Sequence, residues 1–327
     1  MTADPIIRAE IGVVLYPDCQ LSAVYGLTDV FRIAGEAAAA RSQSRPRVVR
    51  VTHWRQADDG AGMSCIYDSH PGSPSGPSFL ILPPSLVMPA SMRPMAQIAA
   101  WMADRHARGA TLCSVCAGAF VLAETGLLEG REATTHWSFA AEMARRFPAT
   151  RVDTARMIID DGDIITAGGI LAWADLGLTL VERLLGPAVM LETARFLLVD
   201  PPGRSQQPYA HFTPRLDHGD APILKVQHWL QRTGAKDHAV PALAARAGLE
   251  ERTFQRRFRK ATGLRPSEYA QQIRIMRARA ALEESRRPVE QIAHEVGYGD
   301  PSAFRKLFQR VTGLAPADYR RRFGVAA

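Results

Sequence analysis

Hydrophobic and polar positions in the last third of the chain follow a helical period, and the whole pattern occurs twice. The segment 240–248 aligns with 289–297 at an offset of 49 residues, and one inserted residue then makes the offset 50. Landmarks recur in this register as the pairs Phe254/Phe304, Phe258/Phe308, Gly263/Gly313, Pro266/Pro316 and Tyr269/Tyr319. So many pairs in one register indicate an internal duplication.

Each copy predicts a short helix, a glycine turn and a second helix. The inner face of the second helix is apolar at i, i+4 and i+7, with Phe254, Phe258 and Ala261 in the first copy and Phe304, Phe308 and Val311 in the second. Asp300 is the predicted N-cap of one second helix and Pro301 its first residue. The other copy has Glu250 at the cap position, and glutamate caps poorly. A longer helix from about 267 to 284 is predicted between the copies.

The outer face of each second helix carries side chains that can bond to base edges and phosphates. They are Arg252, Thr253, Gln255, Arg256 and Arg259 in the first copy and Ser302, Arg305, Lys306 and Gln309 in the second. In a major groove, Arg and Lys can reach guanine, Gln can reach adenine, and the remaining basic groups meet phosphate. These nine are the predicted DNA-binding residues.

Charge distinguishes this prediction from a plain helical bundle with solvated basic faces. Residues 221–327 carry 21 Lys and Arg against 10 Asp and Glu, a net charge of +11. The whole chain carries +7, so the remainder carries −4. All the excess positive charge lies on the duplicated segment, as expected of a surface that meets a polyanion.

The second copy reads Gly297-Tyr298-Gly-Asp-Pro-Ser-Ala-Phe304, followed by Thr312-Gly313-Leu-Ala-Pro316-Ala-Asp-Tyr319. These motifs closely resemble the signature of AraC-type regulators. The resemblance implies an all-α domain in which a long helix bridges two helix-turn-helix units. It also implies that both reading helices enter successive major-groove segments, one helical turn (~34 Å) apart.

Strands alternate with helices through the first two thirds of the chain. Predicted strands cover 11–16, 47–52, 79–82 and 111–115, residues 157–166 are a predicted hairpin, and helices are predicted near 24–34, 95–108, 117–125, 172–185 and 187–198. This alternation predicts an α/β domain with a layered, mostly parallel sheet. The Pro- and Gln-rich stretch 201–208 breaks the pattern, so we predict domains at 1–200 and 222–327 with a linker at 201–221.

Length and composition agree with two globular domains. The chain has 327 residues, and its 46% apolar content can supply two cores. The N-terminus lacks the basic start and apolar stretch of a secretory signal, and no run of 18 uncharged apolar residues predicts a membrane span. The four cysteines lack zinc-ligand spacing. We expect a reduced, cytoplasmic protein without a metal or cofactor.

The sequence Cys113-Ser-Val-Cys116-Ala-Gly118 predicts a strand that turns sharply into a helix. Such a turn places Cys116 at the carboxyl edge of a sheet, beside a helix N-terminus whose dipole stabilises a thiolate. Cys116 is therefore a candidate nucleophile. A buried structural cysteine explains the same residues about equally well.

Three segments, Ser114-Val-Cys116-Ala-Gly118, Ala133-Thr-Thr-His136-Trp137 and Asp163-Ile-Ile-Thr166-Ala-Gly168-Gly169, are together similar to the PfpI/ThiJ-type (class I glutamine amidotransferase-like) fold, a flavodoxin-like layered sheet. In enzymes of that kind the elbow cysteine works with a histidine and an acid from the first strand–helix connection. The resemblance assigns the cysteine to Cys116 and the histidine to His136. The acid's position falls on Ala23, which cannot orient or titrate anything.

A PfpI-like domain followed by an AraC-type domain is the layout of GlxA-type transcriptional regulators. This resemblance implies a ligand site at Cys116, Ala117, His136 and Trp137. It implies double-stranded promoter DNA, a small-molecule effector and RNA polymerase as partners, a homodimer formed through the first domain, and no membrane association.

Three functions are compatible with the sequence. The first is a DNA-binding transcriptional regulator, not an enzyme, whose first domain senses a small metabolite. The second is a PfpI/ThiJ-type cysteine hydrolase or hydratase with an accessory DNA-binding domain, in which Cys116 and His136 are degenerate catalytic candidates. The third is a redox sensor using Cys113 and Cys116. The missing acid favours the first, because a nucleophile needs a base that a third group holds in place.

Overall fold

The computed structural model describes residues 6–42, 47–57, 62–72 and 74–325, which form two compact units divided between Gln206 and Gln207. The prediction that the chain lacks a secretory signal depends partly on residues 1–5, which lie outside the described residues.

The first unit is an α/β layer structure numbered here in chain order. Its strands are β1 Ile6–Leu15, β2 Arg47–Gln56, β3 Met63–Asp68, β4 Phe79–Leu82, β5 Thr111–Val115, β6 Glu132–Ala133, β7 Arg151–Val152, β8 Ile158–Asp160 and β9 Ile164–Ala167. Its helices are α1 Leu21–Ala40, α2 Ala96–Ala107, α3 Gly118–Ala123, α4 Ala140–Arg146, α5 Trp173–Leu185 and α6 Pro187–Leu197.

Seven strands form one sheet in the order β3-β2-β1-β4-β5-β9-β8, and β6 pairs with β7 apart from it. The four central pairings are parallel, whereas the outer pairings β2/β3 and β8/β9 are antiparallel. The predicted mostly parallel sheet and the predicted hairpin at 157–166 are therefore confirmed. One line of fully buried partners, Val13, Ile81, Cys113 and Ile165, crosses the middle of the sheet.

Strand β3 was not predicted from the sequence. Four of its six side chains are exposed, and the strand lies at the sheet edge, so its hydrophobic pattern lacks the alternation of a half-buried strand. The short helix α4 was missed as well, because Met143 is its only buried residue and it therefore shows no apolar stripe.

The strand order reverses beside β1, because the chain passes from β1 to β2 on one side and later adds β4 on the other. At such a switch point the loops that leave the two strands diverge, and a crevice opens at their carboxyl ends. Residues 16–20 and 83–88 follow β1 and β4 at this edge.

The second unit is helical. Its helices are α7 Ala221–Thr233, α8 Val240–Ala247, α9 Glu251–Thr262, α10 Pro266–Glu284, α11 Val289–Glu295, α12 Pro301–Thr312 and α13 Pro316–Phe323. The pairs α8–α9 and α11–α12 are the two predicted helix-turn-helix units, and α10 is the predicted connecting helix. Helix α7 was not predicted. It begins at a hydrogen-bonded N-cap, Asp220, and packs against the first helix-turn-helix unit.

The duplication is visible in the packing. Each helix-turn-helix unit has its own hydrophobic core, and α10 contributes Tyr269 and Ile273 to the first core and Ile275 and Leu282 to the second. The ring of Phe258 meets the ring of Tyr269 edge-on at 5.3 Å, and Phe308 and Tyr319 repeat this at 5.3 Å.

The predicted linker 201–221 is bonded to both units. Gln206 is buried in the α/β unit. In the helical unit, the buried Arg279 donates hydrogen bonds to the backbone carbonyls of Gln207, at 2.9 Å, and Ala210. Phe212 packs edge-on against Tyr269 at 5.1 Å. These contacts join residues that are far apart in sequence, so no sign of them is visible in the sequence. The composition of the segment showed only that the periodicity of helices and strands is lost there.

Candidate functional site

Cys116 lies at the sharp turn between β5 and α3. Its φ of +55° is in the left-handed region, which is strained for a residue with a side chain. Its N–H donates to Ala167 O at 2.9 Å, and its carbonyl accepts from Thr135 Oγ1 at 2.7 Å. Gly118 follows because a Cβ there would lie 2.6 Å from Leu82 O and 2.7 Å from Pro83 O. The predicted elbow is therefore present, and both neighbouring strands hold it.

Burial of Cys116 favours the protonated thiol and not the expected thiolate. The side chain is 2% exposed, and burial raises the pKa of the thiol to about 12, although the Ala117 N–H acts in the opposite direction. The protonated thiol is therefore favoured near neutral pH. The prediction that the helix N-terminus stabilises a thiolate was wrong, because α3 has only six residues and desolvation outweighs its dipole.

His136 lies just before a short 3-10 helix, Trp137–Phe139. Its Nδ1 accepts from the Ser138 N–H at 3.2 Å and lies 2.7 Å from Ser138 Oγ. With Nδ1 accepting, the ring proton is on Nε2. Burial lowers the pKa of His136, so the neutral ring is favoured. Among the described residues, no hydrogen bond joins His136 to Cys116. His136 is therefore not placed as the base of this thiol.

The position at which related enzymes carry the catalytic acid holds no acidic side chain. Ala23 is fully buried in the first turn of α1. A titratable group that interacts with Cys116 is Tyr16, whose hydroxyl donates to Pro83 O. Burial raises the pKa of Tyr16, so this neighbour of Cys116 stays protonated and neutral.

Gln206 is a residue near the candidate site that the sequence gave no reason to choose. Its side chain, 2% exposed, accepts from the Trp137 N–H at 3.0 Å and donates to Thr135 O at 2.9 Å and Arg156 O at 3.1 Å. A Cβ on Gly168 would collide with it, which explains one glycine of the third segment, 163–169. The last residue of the α/β unit thus holds the His136–Trp137 segment in place.

A cavity of about 770 Å³ in the α/β unit lies at the switch point. Asp18 and Ser85 line it from the loops after β1 and β4, and Arg93, Met95 and Ile98 line it from the segment that enters α2. None of the predicted ligand-binding residues Cys116, Ala117, His136 and Trp137 is among its described lining residues. The cavity could have been anticipated only from the strand order, which the sequence did not reveal.

The predicted DNA-binding residues lie on the outer faces of α9 and α12. Eight of them are exposed and Thr253 is half-buried, whereas Phe254, Phe258, Phe304 and Phe308 are fully buried beneath them. Asp300 accepts from the N–H groups of Ser302 and Ala303, at 2.8 and 3.1 Å, and so caps α12 as predicted. Glu250 makes no cap hydrogen bond on α9. The two reading faces are equivalent in position and differ in side chains.

Within the described residues, no group of three His, Cys, Asp or Glu side chains could hold a metal ion. Across the same residues, every helix is too short or too polar to cross a membrane.

Comparison with known proteins places each unit. Residues 243–322 match the helix-turn-helix domain family and residues 60–183 match the DJ-1/PfpI family. The chain is 29% identical over 219 residues to the HTH-type transcriptional regulator GlxA of Rhizobium meliloti (strain 1021), which covers 66% of this chain and 67% of that protein. It is 28% identical over 205 residues to the HTH-type transcriptional regulator CdhR of Pseudomonas aeruginosa, covering 62% of this chain and 61% of that protein.

One relative is named as an enzyme. The isonitrile hydratase of Pseudomonas putida is 32% identical over 152 residues, covering 46% of this chain and 58% of the enzyme. The chain thus matches about two thirds or less of the length of these three relatives. Its α/β unit therefore contains a match to the DJ-1/PfpI family, and its helical unit contains a match to the helix-turn-helix domain family.

Proposed function

We propose that this chain is a sequence-specific transcriptional regulator whose helical unit binds duplex promoter DNA and whose α/β unit binds a small-molecule effector. The proposal depends most on one observation. Helices α9 and α12 bury equivalent aromatic pairs and expose equivalent basic and polar faces, on a segment with a net charge of +11. Such a pair of faces fits two stretches of major groove.

Arg256 and Arg305 are the proposed guanine-reading residues, one on each face. Arg305 pairs with Glu290 in the free protein, and both side chains are about half exposed. An exposed ion pair is worth ~0–1 kcal/mol, whereas a bidentate guanine contact is worth ~1–3 kcal/mol. Arg305 can therefore exchange Glu290 for a base.

The switch-point cavity is the proposed effector site. Its volume lies within the usual range for small-molecule sites, and it opens where ligands bind in α/β sheets. Asp18 and Arg93 offer one charge of each sign, and Met95 and Ile98 offer apolar contact. This lining suits a small polar metabolite with charged groups. The segment around Cys116, His136 and Trp137 would then support the neighbouring loops.

The proposal assigns no catalytic role to Cys116. Its thiol is protonated, His136 bonds elsewhere, and the acid's position holds an alanine. The alternative, a cysteine hydrolase or hydratase with an accessory DNA-binding domain, is supported by the likeness to isonitrile hydratase over 152 residues. RNA polymerase as a partner, a homodimer through the α/β unit and a cytoplasmic location belong to the regulator proposal.

The DNA part of the proposal is tested by selection from a pool of random-sequence duplexes with the full chain. Binding of the selected duplex and of a random duplex is then measured by fluorescence anisotropy at low and at physiological salt. We expect Arg256→Ala and Arg305→Ala each to cost ~1–3 kcal/mol on the selected duplex and much less on the random one. We expect wild-type affinity for both duplexes to fall steeply with salt.

Arg321→Ala is the matched control, because it removes one exposed charge from α13, which is not one of the two reading helices. It should weaken binding to both duplexes by the same small factor. A wild-type protein that enriches no sequence and binds no duplex at low salt would contradict the proposed function. Equal losses on both duplexes would show that Arg256 and Arg305 contact only phosphate.

A further inference from the structure

Arg274 lies in the middle of α10, at the point where one hydrophobic core ends and the next begins. Its neighbour Ile273 belongs to the first core and Ile275 to the second. The Arg274 side chain is only 7% exposed. Among the described residues it has no carboxylate within ion-pair distance. Burying a cation in this way is costly unless its donors are satisfied.

The donors of Arg274 are satisfied by backbone carbonyls from both helix-turn-helix units. Nε and Nη2 donate to Ala235 O at 2.9 and 2.7 Å, and Nη2 also donates to Lys236 O at 2.9 Å. These carbonyls lie in the turn that leads into α8. Nη1 donates to Gly297 O at 3.1 Å, in the turn between α11 and α12. One planar guanidinium therefore connects the two units.

Both acceptor turns are shaped around this side chain. Ala235 has a φ of +53° and is fully buried, and Gly297 has a φ of +94°. A Cβ on Gly297 would lie 3.2 Å from Arg274 Cζ. The ring of Tyr298, the next residue in this turn, lies 5.4 Å from the guanidinium. His238 Nδ1 is a further partner at 3.0 Å. An apolar side chain could fill this space, but it could not bond to the two turns.

We infer that Arg274 is a positioning residue that sets the separation and orientation of the two reading helices. The inference rests on the proposed DNA-binding function. Two helices that read one face of a duplex must match its helical repeat, and one inserted base pair moves the second site by about 3.4 Å and rotates it around the axis. A guanidinium bonded at both turns resists that displacement. The connecting helix alone would allow bending and rotation at its ends.

Arg277 supplies a matched control on the same helix. Its Nη2 donates to Gln231 O at 2.7 Å and Arg232 O at 3.1 Å, both at the end of α7. It therefore bonds to carbonyls on one side of α10 only, beside the first core. Arg274→Met and Arg277→Met each remove an arginine with backbone-carbonyl partners, but only the first breaks a connection between the units.

The first measurement needs no DNA. Spin labels are placed on the full chain at Gln255→Cys and Gln309→Cys, both exposed on the reading faces, with the exposed Cys65 changed to Ser. Double electron–electron resonance then gives the distribution of distances between α9 and α12. We expect one narrow distribution in the parent and in Arg277→Met, and a clearly broader one in Arg274→Met.

The second measurement uses the duplex selected by the wild-type full chain, the same duplex with one base pair inserted between its half-sites, and a duplex with a single half-site. We expect the insertion to weaken wild type and Arg277→Met by at least about 10-fold. Arg274→Met should bind the parent duplex about 10-fold more weakly than wild type and the single half-site within about 2-fold of wild type. Its affinity should fall by less than about 3-fold when the base pair is inserted.

An unchanged distance distribution with an unchanged insertion penalty in Arg274→Met overturns the inference. Equal losses on the single half-site and on the full duplex also overturn it, because they would show that Arg274 supports the fold of one unit. Circular dichroism checks folding, and if Arg274→Met is unfolded, Arg274→Lys replaces it under the same criteria. If wild type selects no sequence, the proposed function fails, and the distance measurement still decides whether Arg274 positions the helices.

Discussion

Cys116 and Arg274 are two buried polar residues whose environments lead to opposite outcomes. The Cys116 thiol is taken out of water, and this burial raises its pKa to about 12, which favours the less nucleophilic protonated thiol. The Arg274 guanidinium is buried with its N–H groups bonded to carbonyls from two turns. Sequence spacing marked the first residue as a candidate nucleophile and gave no signal for the second.

At the residue scale, we expect the purified protein not to turn over amide, ester, isonitrile or glyoxal substrates near neutral pH. We also expect Cys116→Ser to bind the selected duplex within a few-fold of wild type, because serine is of similar size and loses only a protonated thiol. Steady-state assays and anisotropy titrations measure the two quantities. Cys65→Ser is the control, since Cys65 is exposed on β3. Turnover that Cys116→Ser abolishes and Cys65→Ser preserves would show a working cysteine enzyme.

At the scale of elements, the duplication produces two helices of 12 residues, α9 and α12, with unequal ends. Both begin after an extended residue and end at a left-handed glycine, Gly263 or Gly313. Only α12 has a side-chain cap, from Asp300. The backbone N–H donors of Ser302 and Ala303 hold the pKa of Asp300 below its usual range, so the cap is ionised at neutral pH.

Removing the cap should destabilise only one copy. We expect Asp300→Ala to lower the melting temperature of the helical unit by a few degrees, because two N–H groups lose their acceptor. Glu250→Ala at the equivalent position should change it by much less, since Glu250 makes no cap bond. Differential scanning calorimetry of both variants gives the comparison. Equal shifts for the two variants would show that the cap bond contributes nothing specific to α12.

At the scale of the whole molecule, stability is divided among three hydrophobic cores, one in the α/β unit and one for each helix-turn-helix unit. Histidines withdrawn from solvent occur in both units: His53 in the α/β unit is buried, and His238 in the helical unit is half-buried. His53 in the α/β unit is 4% exposed, and its Nε2 lies 2.8 Å from Thr28 Oγ1. Since Thr28 donates its own hydroxyl proton to Val24 O, it accepts the proton of the His53 ring.

Acidification should therefore destabilise the protein in a defined window. Burial lowers the pKa of His53, His136 and His238 in the folded chain, with the charge of Arg274 adding to the effect at His238. The unfolded chain then takes up protons first as the pH falls through about 6.5, so the free energy of unfolding decreases below that pH. We expect the melting temperature to fall by a few degrees between about pH 7.5 and 5.5.

Substitution of His53 tests this assignment. His53→Gln should reduce the fall in melting temperature of the α/β unit, because glutamine does not titrate. His228→Gln, at an exposed position on α7, should leave the fall unchanged. A pH dependence that is identical in wild type and His53→Gln would exclude His53 as a cause.

The sequence determined the features that local pattern and charge encode. Helical periodicity, the repeat at offsets of 49 and 50, and the clustering of basic residues were enough to predict the α9 and α12 faces, and all of these are linear properties of the chain. The small residues around Cys116 were enough to predict the elbow, because a strand that turns into a helix needs Gly118 where the backbone of Leu82 and Pro83 approaches. The domain boundaries 1–200 and 222–327 remain a prediction from composition. In the structure, the two compact units divide between Gln206 and Gln207.

Only the tertiary structure decided the chemistry of these sites. The protonation of Cys116 depends on desolvation by residues from several strands and loops, which no local pattern measures. The switch-point cavity depends on the strand order, and the roles of Gln206 and Arg274 depend on backbone carbonyls tens of residues away. Carbonyls are present at every residue, so their use as acceptors leaves no trace in the sequence until the chain is folded.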